Sequence, residues 1–499
     1  MILWLLPLAK LALHLCTTGG YGIFRDELYY IACSEHLSAG YVDHPGFSIW
    51  VLWAVRHLLG DSLFALRLLP AICGALTVYV VGRTARVLGG GTFAQTLAMT
   101  AALIAPEYLG LNHYYSMNSF DLLAWSLVGY LVARLQQESL PRLWILLGLV
   151  CGFGLWNKIG LLWLGAGLVV GLLATPARRA LLTVWPWVTA LMAVFGLDAY
   201  LRWQVANDWS TVEWMQNATS EKMVHGTFGS FVHGQIDAMH PLNVLIWGAG
   251  VLYLLFHREA RQFRILGWMW LTVAVILATA EASRAGYLAP AYTFVFAAGG
   301  VAWERILVRR QAALRYAFVG LWLLAGAAVA PLAMPLLPLD SYVRYAAALG
   351  QKPDTEEKKT LADLPQWYAD MQGWSLVADA MARAFDTLPA EERRHAAVFG
   401  GDYGVAGAID FFGPALGLPK AVSGHNSYWL WGPRDWDGSV AIIPTRNEGR
   451  LRYLFGEVQR VGTIECGRCM PYENHLPIWI VRRARVSVPQ LWFAAKHFD

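Results

Sequence analysis

Charge is scarce in this sequence. Of its 499 residues only 15% are Asp, Glu, Lys or Arg, while 57% are hydrophobic. A soluble domain usually carries about 25% charged residues. That deficit, with a mean hydropathy of +0.41, excludes a wholly soluble chain. The shortage is uneven. Residues 1 to about 338 form a series of long apolar runs, and 339–499 have the composition of an ordinary globular domain. Cysteine is also scarce: six are present, scattered except for Cys466 and Cys469. The run Met1–Cys16 lacks the basic leader and small-residue cleavage site of a secretory signal, so it reads as a membrane helix. No internal repeat is visible, which argues against a transporter or lipid flippase built from repeated halves. The net charge of +4 is small, and no nucleic-acid partner is expected.

What is abundant is apolar sequence in spanning lengths. A membrane helix needs about 20 mostly apolar residues. Eleven segments qualify: 1–18, 62–82, 91–106, 117–134, 142–157, 159–175, 180–201, 241–256, 264–281, 286–303 and 314–336. Arginine orients them. Arg83, Arg86, Arg134, Arg142, Arg178, Arg179, Arg258, Arg261, Arg264, Arg305, Arg309, Arg310 and Arg315 fall in alternate connections, all on one side. The positive-inside rule makes that side, and the N-terminus with it, cytoplasmic.

The other side receives two long loops, 19–61 and 202–240, and the whole C-terminal domain, 339–499. The loops are rich in Tyr, Trp, His and acids. In the first, the stretch from Tyr21 to Gly46 holds the acidic pair Asp26 and Glu27 at the mouth of the first helix, then Asp43-His44-Pro45. The C-terminal domain mixes signals. Leu364, Trp367, Met371, Trp374 and Ala378 recur at helical spacing, and apolar runs at 396–399, 439–443 and 477–482 read as strands. The expected fold class is therefore a mostly α polytopic membrane protein with an α/β C-terminal domain outside the cytoplasm. On that oxidising side, Cys466 and Cys469 suit a disulfide better than a metal site, because no second ligand pair is visible. His225, His233 and His240 fit neither a zinc motif nor one helix face, and read as unpaired surface residues. No metal and no cofactor are expected.

Several short motifs follow one another in a telling order. They are Arg25-Asp26-Glu27-Leu28-Tyr29-Tyr30, Tyr41-Val42-Asp43-His44-Pro45, Met117-Asn118-Ser119-Phe120-Asp121, Gly154-Leu155-Trp156-Asn157-Lys158 and Ser283-Arg284-Ala285-Gly286-Tyr287. Within the C-terminal domain come Asp402–Asp410 and Ser423–Trp429. In these motifs and their order the whole chain resembles the GT-C membrane glycosyltransferases, in particular the protein O-mannosyltransferase family and the bacterial lipid A aminoarabinose transferases. It departs from them in carrying Gly46 where a second proline is usual, and His44 where many relatives have lysine.

The resemblance implies an enzyme of the inner (plasma) membrane that takes a sugar from a polyprenyl-phosphate donor. It passes the sugar to a glycolipid, glycan or protein acceptor at the outer face, by one inverting displacement. Such a site needs a base, cations for the departing phosphate, and a dry groove for the lipid. The catalytic candidates are Asp26, as base for the acceptor, and Glu27, which positions the acceptor or orients a cation. His44, Lys158 and Arg284 are the phosphate candidates, since charge develops on the leaving group; Arg202 and Lys222 stand in reserve. Tyr29, Asp43, Asn118, Asp121 and Tyr287 are expected to position substrate. Asp121 lies inside a span, where an acid requires a partner, and Lys158 is the expected one. A single base, rather than two separated carboxylates, fits direct displacement.

Overall fold

Every apolar segment expected to span is helical in the computed structural model, which describes residues 2–138, 140–307 and 311–499. Among the described residues, four helices are each long and apolar enough to cross a membrane: Leu63–Val87, Arg258–Thr279, Ala285–Ile306 and Ala312–Ala333. Two pairs qualify only together, and they bend by 104° at 174–176 and by 105° at 239–241. Helices such as Thr92–Ile104 and Pro141–Asn157 are apolar but shorter. Length and composition thus give four spans, or six with the bent pairs, while eleven is the reading of hydropathy and arginine placement.

Small residues set the helix spacing, as is usual where lipid supplies no drive for helices to associate. A Cβ on Gly196 would lie 2.1 Å from the Gly152 carbonyl oxygen, so helices Pro141–Asn157 and Trp185–Ala206 touch backbone to backbone. Gly299 meets the Ile246 carbonyl at the same 2.1 Å, joining Tyr292–Ile306 to Val244–Phe256.

The connections sort into two groups. At one end the arginine-bearing turns touch each other: the Gly91 N–H donates to Glu304 at 2.6 Å, Gln137 donates to the Val87 carbonyl at 2.6 Å, and Arg305 pairs with Glu259. Arg309 and Arg310 lie outside the described residues. The two long loops and the C-terminal domain form the other group. Loop 19–61 is itself largely helical, through Arg25–Ser34 and Phe47–Leu59.

The C-terminal domain carries a four-stranded sheet: β1 (Ala397–Val398), β2 (Val440–Pro444), β3 (Phe455–Ile464) and β4 (Leu476–Ala484), in the order β1-β2-β4-β3. Strands β1 and β2 are parallel and the other pairs antiparallel. The three apolar runs read as strands are β1, β2 and β4. The helical spacing from Leu364 to Ala378 crosses two helices, Gln366–Ala369 and Trp374–Asp386. Gly373 parts them in a left-handed conformation, φ +80°, where any side chain would strike Cys466. Cys466 and Cys469 are disulfide-bonded. One apolar core takes Leu28, Tyr29, Ile31 and Ile49 of the first loop together with Val377, Ala406, Ile409 and Ile480 of the C-terminal domain.

Candidate active site

Asp26 and Glu27 occupy the first turn of helix Arg25–Ser34, where two carboxylates favour the positive end of the helix dipole. Their surroundings divide them. Glu27 is 1% exposed, and both its oxygens are committed. It accepts from Arg67 at 2.9 and 2.7 Å, from the Phe24 N–H that opens the helix at 2.8 Å, and from the Tyr115 N–H at 2.8 Å. Arg67, also 1% exposed, donates to the Thr18 and Gly22 carbonyls at 2.6 and 2.7 Å as well, and its Nη1 lies 3.5 Å from His113 Nε2. The carboxylate orients a cation, Arg67, and both of its oxygens are spent on that guanidinium and the two backbone N–H groups.

Asp26 is the one residue of its helix that is not buried. The hydrogen bond shown for its carboxylate is from the Tyr403 hydroxyl, at 2.9 Å. Arg25, buried beside it, donates to the Tyr403 and Tyr472 hydroxyls at 2.8 and 2.6 Å and stacks over the Tyr403 ring. Helix Tyr403–Phe412 reaches this place because Gly404 and Gly407 lie flat on Arg25 and Leu28. Tyr403, Tyr472 and Arg25 were not singled out from sequence as site residues. Arg25 and Tyr403 stood within quoted motifs; Tyr472 gave no signal.

The cations gather from separate segments. Lys158, ending helix Pro141–Asn157, donates to Asn118 Oδ1 at 2.7 Å, lies 3.6 Å from Asp121 and faces the Tyr287 ring. Three residues expected to position substrate thus meet Lys158 directly. Arg284, in the turn before Tyr287, pairs with Glu356 at 3.5 Å and Glu357 at 3.2 Å. Lys222, one of the reserve candidates, reaches Glu357 at 4.0 Å, and its charge is felt by Arg25 and Asp26. Arg202, the other reserve, is 80% exposed and pairs with Asp198, so it does not join the site. Burial works against a charged Glu357, but Lys222, Arg25 and Arg284 outweigh it and hold its pKa down to about 2.

Glu107 is a further member. Its carboxyl lines the same space, close against Gly286, with Glu356, Lys158 and Arg284 as charged neighbours. Burial first, then Glu356, pushes its pKa up to about 7 against the two cations. Tyr114 stands between the acids, influenced by both Asp26 and Glu107.

His44 makes its contacts with tyrosine rings, a backbone carbonyl and Asp43. It is 1% exposed and stacked on Tyr30, with Tyr41 and Tyr29 closing the box. Its Nδ1 stands 2.9 Å from the Pro45 carbonyl, and its Nε2 is 4.0 Å from Asp43. Asp43 in turn accepts from the Tyr29 hydroxyl at 2.9 Å, and burial raises its pKa. The trio forms one cluster walled by tyrosines.

Of the three loop histidines, His225 and His233 are exposed as expected. His240 is not: it is 2% exposed, with φ +79°, and its Nδ1 accepts from the Leu242 N–H at 3.2 Å. His425, His497 and Asp499 bring potential metal-ligand atoms within 4.8 Å of one another. However, His425 Nδ1 accepts the Tyr403 N–H at 3.2 Å, which leaves the proton on Nε2, facing the Asp499 carbonyl at 3.0 Å. A neutral ring so engaged has no lone pair for a metal. The group acts as a hydrogen-bonded clasp on the helix that carries Tyr403.

Comparison with known proteins agrees with this architecture. A family model described as dolichyl-phosphate-mannose-protein mannosyltransferase matches residues 43–203. The lipid A galacturonosyltransferase RgtD of Rhizobium johnstonii is 25% identical over 281 residues, 54% of this chain. The match spans about 58% of that relative's length. The crystal structures of ArnT from Cupriavidus metallidurans, bound to undecaprenyl phosphate and in the apo state, both superimpose with a TM-score of 0.62. Identity is 13% and 14%, and each match covers 95% of this chain and 97% of the other. The chain therefore has the GT-C fold and is similar to the protein-mannosyltransferase-like glycosyltransferases, as its motifs implied.

Proposed function

From that resemblance we propose that the protein is a membrane glycosyltransferase. It moves a sugar from a polyprenyl-phosphate donor to an acceptor at the outer face of the inner membrane, with inversion at the anomeric carbon. The carrying observation is the partition of carboxylates. Asp26 alone on its helix is unburied, and among the described residues its carboxylate holds a single hydrogen bond. Glu27, Asp121 and Glu357 are each paired with a cation. In one step the acceptor oxygen forms a bond to the anomeric carbon while the carbon–oxygen bond to phosphate breaks. The electron pair leaves with the phosphate, and Asp26 takes the acceptor's proton. Tyr403 orients Asp26. Lys158, Arg284 and Lys222 receive the charge that develops on the phosphate. Undecaprenyl phosphate, bound in one ArnT structure, supports the lipid carrier. Among glycolipid, glycan and protein acceptors, the name of RgtD favours a lipid A-type glycolipid. Tyr29, Asp43 and His44 wall the entry of the sugar or acceptor, and Glu27 serves as a positioning residue through Arg67.

Mass spectrometry of envelope lipids from a deletion strain tests this reading. One sugar-modified lipid should disappear, return with the wild-type gene, and stay absent with Asp26→Asn. An envelope profile unchanged by deletion in lipids, glycans and proteins would refute it.

A further inference from the structure

The strap 351–363 links the helix Leu339–Ala348 to the rest of the C-terminal domain, and it enters the cation cluster. It does so by pairing its backbone with the second long loop. The Val224 N–H donates to the Glu356 carbonyl at 3.0 Å, and the Lys358 N–H to the Lys222 carbonyl at 2.8 Å. The Lys358 ammonium adds a bond to the Ser220 carbonyl at 2.6 Å. Glu357 is thereby fixed opposite Met223, and its side chain is 7% exposed. One of its oxygens meets Lys222 and Arg284; the other, Oε2, has no hydrogen-bond partner among the described residues. A buried carboxylate with an idle oxygen, tethered to the backbone that carries Lys222, occupies the place where a phosphate would find its cations.

The chemistry of the proposed reaction gives that arrangement a use. The donor phosphate is a diester with one negative charge. The spent carrier is a monoester, whose charge near neutral pH is about −1.5 to −2. Cations that assist departure therefore bind the product more tightly than the donor, and they would retain it. We infer that Glu357 is an internal counter-anion: it holds Lys222 and Arg284 between turnovers and competes the spent lipid phosphate off them. The inference rests on the donor reading above. Because the strap cannot diffuse away, the carboxylate competes at a fixed, high effective concentration. Half-exposed Glu356 shares only Arg284, at 3.5 Å, and plays a smaller part.

The test is the affinity of the purified full-length protein for undecaprenyl phosphate, with single-turnover and steady-state rates measured alongside. Glu357→Gln keeps the shape but removes the charge. It should bind undecaprenyl phosphate roughly tenfold tighter, the scale of losing one competing charge near a protein surface. It should also show a normal first turnover followed by a slowed steady state. Glu357→Asp should restore wild-type behaviour. Lys358→Ala, which loosens the strap and spares the carboxylate, should tighten binding in the same direction to a lesser degree. It carries the test if Glu357→Gln does not yield folded protein. Unchanged or weaker binding in the charge-removed or strap-loosened variant overturns the inference, because a merely structural ion pair would give that result. Failure of the wild-type protein to bind undecaprenyl phosphate would instead overturn the donor reading, and this inference with it.

Discussion

Replacing Arg67 with methionine separates framework from chemistry at the acidic pair. The guanidinium makes two bonds to Glu27, each side chain 1% exposed, and two to the Thr18 and Gly22 carbonyls in the segment that follows the first helix. Arg67→Met leaves the Glu27 carboxylate with only the Phe24 and Tyr115 N–H groups. Removing one partner of a buried pair costs about 3–5 kcal/mol, because the other charge stays buried without compensation. At about 2.1 cal/mol/K of unfolding entropy per residue, a chain of 499 residues shifts its melting midpoint by about 1 °C per kcal/mol, so a fall of roughly 3–5 °C is expected. Glu27→Gln should fall comparably, since an amide nitrogen cannot accept from Arg67 or from Phe24. Changing both residues to methionine should recover only part of the loss: the unpaired charge is gone, but two buried N–H groups lose their acceptor. Asp26→Asn, on the neighbouring residue, should shift the midpoint by less than about 1 °C, as partly exposed substitutions usually do. The assay is thermal inactivation of detergent-purified protein, with turnover measured below the transition. A Glu27→Gln variant that melts like wild type yet has lost turnover would refute the framework assignment and return Glu27 to the chemistry.

Asp26→Asn should cut turnover by about 100-fold or more while leaving undecaprenyl phosphate binding near wild type, on the usual scale of general-base catalysis; turnover near wild type would remove Asp26 as the base. Arg284→Ala should lose transfer far more than Arg258→Ala, which changes an arginine at the other end of the bundle, and equal activities would take Arg284 out of the site. Glu107 gives a pH signature: its folded pKa of about 7 lies above the ordinary 4.5. The folded state therefore holds the proton longer than the unfolded state, and stability falls as pH rises between those values. Glu107→Gln should match wild type near pH 4, become the more stable protein as pH approaches 7, and hold a constant lead above about pH 8. A gap that does not change with pH would contradict the assignment. A reporter fused after Asp499 should be active outside the cytoplasm and silent within it, and the opposite result would reverse the orientation drawn from arginine placement.

Local features of the fold could be read from the chain. Apolar length marked the helices, the acid inside a span called for a partner and found Lys158, and Cys466 and Cys469, which suited a disulfide better than a metal site, are bonded. Strand β3 escaped because Gly456 and Gly462 interrupt its alternation, with a register shift between Arg460 and Gly462. The capping role of Glu27 was hidden because Phe24 offers no polar side chain to announce the helix start. Glu357 sits in the run Thr355-Glu356-Glu357-Lys358-Lys359, which reads as a solvated stretch. Only backbone pairing with Lys222 and Val224 carries it inward, and no local pattern encodes that pairing. The cations Lys158, Arg284 and Lys222 were legible in the chain, but the acids that meet them, Glu107, Glu356 and Glu357, were not: they come from loops whose meeting depends on how the helices return, not on spacing along the chain.

The bond between Tyr403 and Asp26 closes a separation of 377 residues. Chains are made from the N-terminus at roughly 5–20 residues per second. The stretch that holds Asp26 therefore leaves the ribosome some tens of seconds before the helix that covers it exists. During that interval Leu28, Tyr29 and Ile31 lack the C-terminal half of their core, Ala406 and Ile409 among it, and Arg25 has neither of its phenols. Contacts this distant form late, so the site is assembled last, after the helices are already in the bilayer. A chain stopped before residue 403 would carry every membrane helix and the proposed base, yet leave that base unplaced on an uncovered apolar surface. Such a chain is a natural target for chaperones and proteases, and completion of helix Tyr403–Phe412 is the event that ends its exposure.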